Sequence, residues 1–274
     1  MPPLFDPQWL TIFLLLGAFV GFMAGLLGIG GGGIMVPMLT TIFLAQGMPL
    51  EQVVHIALGT SMASIVVTSL SSMRAHHLRQ GVLWPIVFAM APGILVGTYL
   101  GTYLASLTSS FLLSILFAMF MAYISLQMFI DKKPQPSRQL SGRFSLSVGG
   151  AVIGGLSALV SIGGGSFTVP YLIWQNVDIK KAIGTSAAIG FPISFAGTIG
   201  YMFNAPLHSN ATSPYLIGFI DFYVVLLISI ASALTAPLGA RMAHRLPIPM
   251  LKKVFACLLI GLSMKMVITI VGAV

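Results

Sequence analysis

Long runs of apolar residues, separated by short polar connections, make up most of the chain. A helix needs roughly 20 apolar residues to cross a bilayer. Eight runs reach that length, near residues 10–28, 52–74, 82–106, 110–130, 143–161, 181–203, 217–240 and 254–273. The pattern predicts an all-α polytopic membrane protein with eight long spanning helices.

Two further apolar runs, at residues 34–46 and 166–175, are too short for an easy crossing, and each follows a cluster of glycines. Backbone polar groups cannot be left without partners in lipid. We therefore predict two short helices that pack inside the protein or line a cavity. The sequence allows them either to cross the membrane fully or to re-enter on one side.

The composition agrees with a membrane protein. Of the 274 residues, 57% are hydrophobic and 7% are charged, whereas about 25% are charged in a typical soluble domain. This excludes a soluble enzyme and a nucleic-acid-binding module. The single cysteine, Cys257, excludes intramolecular disulfides and cysteine-based metal clusters. We expect no cofactor, no metal site and no enzymatic activity.

The positive charges predict the topology. All Lys and Arg residues except Lys265 lie in four polar segments, at 74–79, 132–143, 180–181 and 241–253. If each short run crosses, or forms a hairpin with the run before it, all four segments lie on one face, which is the cytoplasmic face. If only the long runs cross, two of the segments move to the opposite face. We favour the first arrangement, with both termini outside, in the inner membrane of a bacterial or archaeal cell.

The chain contains an internal repeat. Residues 25–37 align with 158–170, and Gly59-Thr60-Ser61 aligns with Gly184-Thr185-Ser186. Further on, Leu100-Gly101 aligns with Leu238-Gly239. These matches define two halves, 1–131 and 143–274, joined by a cytoplasmic linker at 132–142. Each half has five apolar segments, so the second half is expected to be inverted relative to the first. Inverted repeats are typical of secondary transporters.

The repeated motif resembles a known family. The pattern G-x-G-G-G-x-x-x-x-P followed by G-T-S, which occurs twice with Ser161 replacing the first glycine of the second copy, is similar to that of the TauE/SafE (sulfite exporter) family of membrane transporters. The resemblance covers nearly the whole chain. It implies transport of small sulfur-containing or organic anions, such as sulfite or sulfonates.

The glycine clusters are the first candidate site. They comprise Gly30, Gly31, Gly32 and Gly33 in the first half and Gly163, Gly164 and Gly165, followed by Ser166, in the second. Each cluster precedes a short helix, whose first backbone amides have no partner within the helix and carry the positive end of its dipole. Such a helix start can bind an anion without Lys or Arg. The alternative is that the glycines serve only close helix packing.

Hydroxyl groups form the second candidate set. Thr60 and Ser61, with Thr185 and Ser186 in the other half, could donate to the oxygens of a substrate anion. They could instead hydrogen-bond between helices. Lys265 is a possible charge partner, or it extends toward the membrane surface. Asp221 is predicted to cap a helix, and His55 is either structural or a proton site.

These features predict a carrier that exports a small anion, with that anion and the lipid bilayer as its partners and no nucleic acid. The alternatives are an anion channel, a proton- or sodium-coupled importer, and a membrane scaffold that transports nothing. The sequence specifies no oligomeric state.

Overall fold

A computed structural model describes residues 7–27, 31–130, 140–205, 214–243 and 248–273. Within these ranges the chain is nearly all helical. The elements are α1 (Pro7–Leu27), α2 (Gly32–Ala45), α3 (Val53–Leu78), α4 (Trp84–Ser106), α5 (Ser110–Ile130), α6 (Arg143–Val160), α7 (Gly165–Trp174), α8 (Ile179–Phe203), β1 (Leu216–Ile217), β2 (Ile220–Asp221), α9 (Phe222–Ala243) and α10 (Ile248–Ala273).

Eight of these helices are long and apolar enough to span a membrane, which confirms the predicted number. The two short helices also lie where the apolar pattern predicted them. α2 has 14 residues and α7 has 10. Most of the linker predicted at 132–142 lies outside the described residues, as does Gly30 of the first glycine cluster.

The start of α9 differs from the prediction. The apolar run begins near residue 217, but the helix begins only at Phe222 because β1 and β2 form a short antiparallel hairpin before it. Gly218 turns the chain with a φ of +63°, a conformation that glycine adopts at little cost. The Phe219 N–H donates to the Tyr201 carbonyl at 3.0 Å. This hydrogen bond joins the hairpin to the end of α8.

Helices α3 and α8 form the centre of the molecule. In the most apolar stretch of each of these two helices, 78% and 61% of the residues are buried. The corresponding fraction is 33% for α1, α5, α9 and α10. The two central helices run antiparallel. Gly59, near the start of α3, lies against Tyr201 near the end of α8, and Gly184, near the start of α8, lies against Gly81 just beyond the end of α3.

The outer helices pack in pairs around this centre. α1 packs on α9, α4 on α6, and α5 on α10. Glycines at four-residue spacing make two of these contacts close. They are Gly17, Gly21 and Gly25 on α1, and Gly93, Gly97 and Gly101 on α4. Small residues let helix backbones approach in a membrane, where lipid supplies little hydrophobic force between helices.

Candidate functional site

The two short helices start with the same hydrogen-bond pattern. At the start of α2, the N–H groups of Ile34 and Met35 both donate to the Gly31 carbonyl, at 3.1 and 3.0 Å. The amides of Gly32 and Gly33 therefore precede the first helical bonds. Such amides are the donors that a helix start presents to its surroundings.

The start of α7 repeats this arrangement at the aligned positions. The N–H groups of Phe167 and Thr168 both donate to the Gly164 carbonyl, at 3.2 and 2.8 Å. Gly164 has a φ of +75°, which a side chain would strain. The amides of Gly165 and Ser166 precede the helical bonds here, as those of Gly32 and Gly33 do in α2.

The starts of the two short helices belong to one region of the molecule. A Cβ on Gly32 would overlap the carbonyl oxygen of Ser161, in the turn that precedes α7. Ser161 is buried, and its hydroxyl donates to the Leu58 carbonyl of α3 at 3.1 Å. The structure thus brings the start of α2 against the turn between α6 and α7.

A small cavity lies against the first turns of both short helices. Its lining combines residues of the two halves: Gly33, Met121, Ile124, Ile162, Ser166, Phe255 and Leu259. The volume of about 10 Å³ has room for about one water molecule. The Ser166 hydroxyl is buried and has no hydrogen-bond partner among the described residues. Gly33 and Ser166 are aligned positions of the repeat. Each half therefore lines the cavity with the equivalent residue of its short helix.

The first Gly-Thr-Ser motif contacts the segment that leads into α9. A Cβ on Gly59 would overlap the Phe219 carbonyl oxygen. Two residues further along that segment, the Asp221 N–H donates to the Thr60 hydroxyl at 3.0 Å. Gly59 therefore allows the backbone of this segment to approach α3, and the Thr60 hydroxyl accepts a hydrogen bond from it.

The second motif makes the same two contacts with the segment that leads into α4. A Cβ on Gly184 would overlap the Gly81 carbonyl oxygen, and the Leu83 N–H donates to the Thr185 hydroxyl at 2.9 Å. Leu83 and Asp221 are themselves equivalent positions of the repeat. Leu83 precedes Leu100 of α4 by the same number of residues as Asp221 precedes the aligned Leu238 of α9. We call each glycine–threonine contact pair a clasp: the α9 clasp (Gly59 and Thr60 with 219–221) and the α4 clasp (Gly184 and Thr185 with 81–83).

The serines of the two motifs are placed differently from the threonines. Ser61 and Ser186 are both buried, with 0% and 3% of their surfaces exposed. The Ser61 hydroxyl has no hydrogen-bond partner within the described part of the chain. It is therefore a buried donor available to a ligand, whereas the Thr60 and Thr185 oxygens already accept backbone amides.

Sequence comparison identifies the family. The family model described as "Sulfite exporter TauE/SafE" matches residues 13–266. The chain belongs to the TauE/SafE family. A probable membrane transporter protein of Haemophilus influenzae is 35% identical over 260 residues, which cover 94% of this chain and 98% of the relative.

More distant relatives carry the same description. A probable membrane transporter protein of Methanocaldococcus jannaschii is 26% identical over 86% of this chain and 87% of its own length. The probable membrane transporter protein YdhB of Bacillus subtilis is 27% identical over 88% of this chain and 93% of its own length. No solved structure matches the chain. The molecule is therefore a multi-pass membrane protein of a transporter family.

Three ionisable residues of this TauE/SafE protein lie away from the cavity lining. Lys265 is on the exposed side of α10. The Asp221 carboxylate accepts the Val224 N–H at 3.2 Å, which confirms the predicted cap on α9. His55 is buried, and its Nε2 lies 3.0 Å from the Ala105 carbonyl oxygen and 2.9 Å from that of Thr108, so it ties α3 to the end of α4.

One buried contact of this TauE/SafE protein was not predicted from the sequence. The hydroxyl oxygens of Ser69 on α3 and Ser194 on α8 lie 3.2 Å apart in the buried centre. Ser69 follows Ser61 at the same spacing as Ser194 follows Ser186. That repeated spacing was the available signal, because it makes the two serines aligned positions of the repeat.

Proposed function

We propose that this TauE/SafE protein is a carrier that exports a small anion, such as sulfite or a sulfonate, and binds it between its two halves. The observation that carries the proposal is the shared cavity. The first turns of both short helices, at Gly33 and Ser166, line it together. The proposed ligands are the two glycine clusters, Ser166 and the motif hydroxyls.

The surroundings of the cavity suit a small anion. Helix-start amides and the buried Ser166 hydroxyl are donors in the first turns beside it, and the helix dipoles add partial positive charge. The surface that faces the cavity is apolar, so binding would have to turn these donors toward the anion. Neutral donors can replace the hydration of a small anion without a buried Lys or Arg, whose own desolvation would be costly.

The packing supports the proposed inverted repeat of 1–131 and 143–274. In such a repeat α1 corresponds to α6, α3 to α8, α4 to α9 and α5 to α10. The contacts of α1 with α9 and of α4 with α6 are then counterparts, as are the two clasps. Counterparts α3 and α8 pack on each other, as do α5 and α10, as expected for helices beside a two-fold axis in the membrane plane.

The size of the cavity supports a carrier over a channel. A cavity of about 10 Å³ holds about one water and is too small for an oxyanion of sulfur. Substrate can therefore occupy this cavity only after a rearrangement of the packed helices, as expected of a carrier. A channel would instead need a continuous path across the membrane.

The direction follows from charge. Moving one charge across 100 mV is worth about 2.3 kcal/mol, and the cell interior is negative, so an uncoupled monovalent anion runs outward. Proton coupling usually needs a titratable carboxylate inside the membrane. The one candidate, Asp221, caps α9.

The test is flux in proteoliposomes loaded with sulfite, thiosulfate, sulfoacetate or lactate. We expect saturable efflux of at least one anion, faster with a potential negative inside and without a proton or sodium gradient. Ser166→Ala should raise the KM, because it removes a buried hydroxyl without a partner in the described residues, beside the cavity, whereas Ser71→Ala on the exposed side of α3 should not. Non-saturable flux would favour a channel. Accumulation of the anion that depends on a proton or sodium gradient would favour an importer, and the absence of any flux would favour a scaffold.

A further inference from the structure

The two clasps join helices of different halves by the same pair of contacts. We propose that the α9 clasp and the α4 clasp are the two gates of the carrier, each closing the site toward one side of the membrane. This inference rests on the proposed transport function. It assigns Thr60 and Thr185 to gating, in addition to any contact they make with substrate.

The clasps lie at opposite ends of the central helix pair. Because α3 and α8 are antiparallel, the α4 clasp lies beside the end of α3, while the α9 clasp lies near its start. Thr60 stands 18 residues before Leu78, the last residue of α3, which corresponds to about 27 Å along a helix. The hydrocarbon core of a bilayer is about 30 Å thick. Each clasp is therefore close to one membrane surface.

Each clasp joins one half of the chain to the other. Thr60 is in the first half and bonds Asp221 of the second, whereas Thr185 is in the second half and bonds Leu83 of the first. Between the clasps, the contact of Ser69 with Ser194 joins α3 to α8, nine residues beyond each clasp threonine. A rocking motion about this central contact would open one clasp while the other stays closed.

Both clasps are closed in the structure, and the cavity between the halves has room for about one water. This is the arrangement expected when both proposed gates are shut. The next residue after each clasp threonine is a buried serine, Ser61 or Ser186. Opening a clasp would therefore expose that serine to the solution on the same side.

The test measures this exposure with cysteine reporters. Ser61→Cys and Ser186→Cys are introduced separately into a Cys257→Ala background and reacted with a membrane-impermeant maleimide. Right-side-out and inside-out vesicles report the two sides. In the proposed topology, Thr60→Val should speed labelling of Ser61→Cys from outside about two- to tenfold, the effect of losing one neutral hydrogen bond. It should slow labelling of Ser186→Cys from inside. Thr185→Val should speed labelling of Ser186→Cys from inside and slow labelling of Ser61→Cys from outside.

The controls separate gating from loss of structure. Thr60→Ser and Thr185→Ser retain the hydroxyl and should restore wild-type labelling. Thr68→Val removes a hydroxyl that bonds the Ile65 carbonyl within α3, and should leave labelling unchanged. If both valine variants speed labelling from both sides, or neither changes it, the gates are disproved. Labelling needs no substrate, so shifted labelling without any anion flux would retain the gates and overturn only the proposed function.

Discussion

Gly32 has no room for a side chain, because the carbonyl oxygen of Ser161 lies where a Cβ would be. This contact joins the start of one short helix to the turn before the other. The Ser161 turn is itself fixed, since the Ser161 hydroxyl bonds the Leu58 carbonyl. The carbonyl therefore cannot move aside without disturbing the centre of the molecule.

We expect Gly32→Ala to lower the Tm by about 2 to 10 °C, because overpacking costs about 1–3 kcal/mol. It should also abolish transport, because it separates the two glycine segments of the proposed site. Thermal unfolding in detergent, followed by flux in liposomes, would measure both. Gly261→Ala is the matched control, since a Cβ there would meet no atom within 4 Å. A Gly32→Ala protein with normal flux would show that close approach at this point is not required.

The sequence pointed to the residue types of the candidate site, but it could not predict the contacts that each of them makes. The repeated motif pointed to Thr60 and Ser61 together. The structure separates them, because the Thr60 oxygen accepts the Asp221 amide while the Ser61 hydroxyl has no partner in the described part of the chain. Thr60 and Asp221 are 161 positions apart, and no local pattern encodes which distant amide meets which hydroxyl.

At the scale of elements, the contact between α4 and α6 depends on glycine. Gly93, Gly97 and Gly101 each place the α4 backbone against the α6 backbone. Large apolar side chains such as Phe88 and Leu104 project from the exposed surface of α4 instead. The small residues of α4 thus make the close contact with α6, as in other membrane helix pairs, while larger residues such as Met90 and Ile94 fill the core beside them.

Gly97→Leu should therefore destabilise the folded protein, because its Cβ would overlap the Ala151 carbonyl oxygen. We expect a larger fall in Tm than for Gly32→Ala, with a reduced yield of monodisperse protein. Gly261→Leu, on the exposed side of α10, provides the comparison. Equal stability of the two leucine variants would contradict close packing of α4 on α6.

Apolar length predicted the helices well because the bilayer sets that length. Seven of the eight candidate membrane spans begin within three residues of the predicted position, although the helix α10 itself starts earlier, at Ile248. The exception is α9, where the apolar run includes the hairpin before the helix. Apolar content cannot distinguish a short hairpin from the first turn of a helix; the turn depends on Gly218 and its fit against α8.

At the scale of the whole molecule, the arrangement of charge predicts a topology that the helix packing does not test. With five segments in each half, the linker and the loop between α8 and α9 should lie on opposite sides. Lys133→Cys should react with an impermeant maleimide only from the cytoplasmic side, and Asn210→Cys only from outside, both in the Cys257→Ala background. Labelling of both positions from one side of intact cells would disprove the inverted arrangement.

The contact between Ser69 and Ser194 has a consequence for how such a molecule can arise. In the proposed repeat, these are one position facing its own counterpart across a two-fold axis, as in a symmetric dimer. A half-length ancestor that paired with an oppositely oriented copy of itself would have needed a self-complementary side chain there. Serine meets that need, since its hydroxyl both donates and accepts, whereas a charged residue would repel its copy. Once duplication joined the halves, each serine became free to change alone.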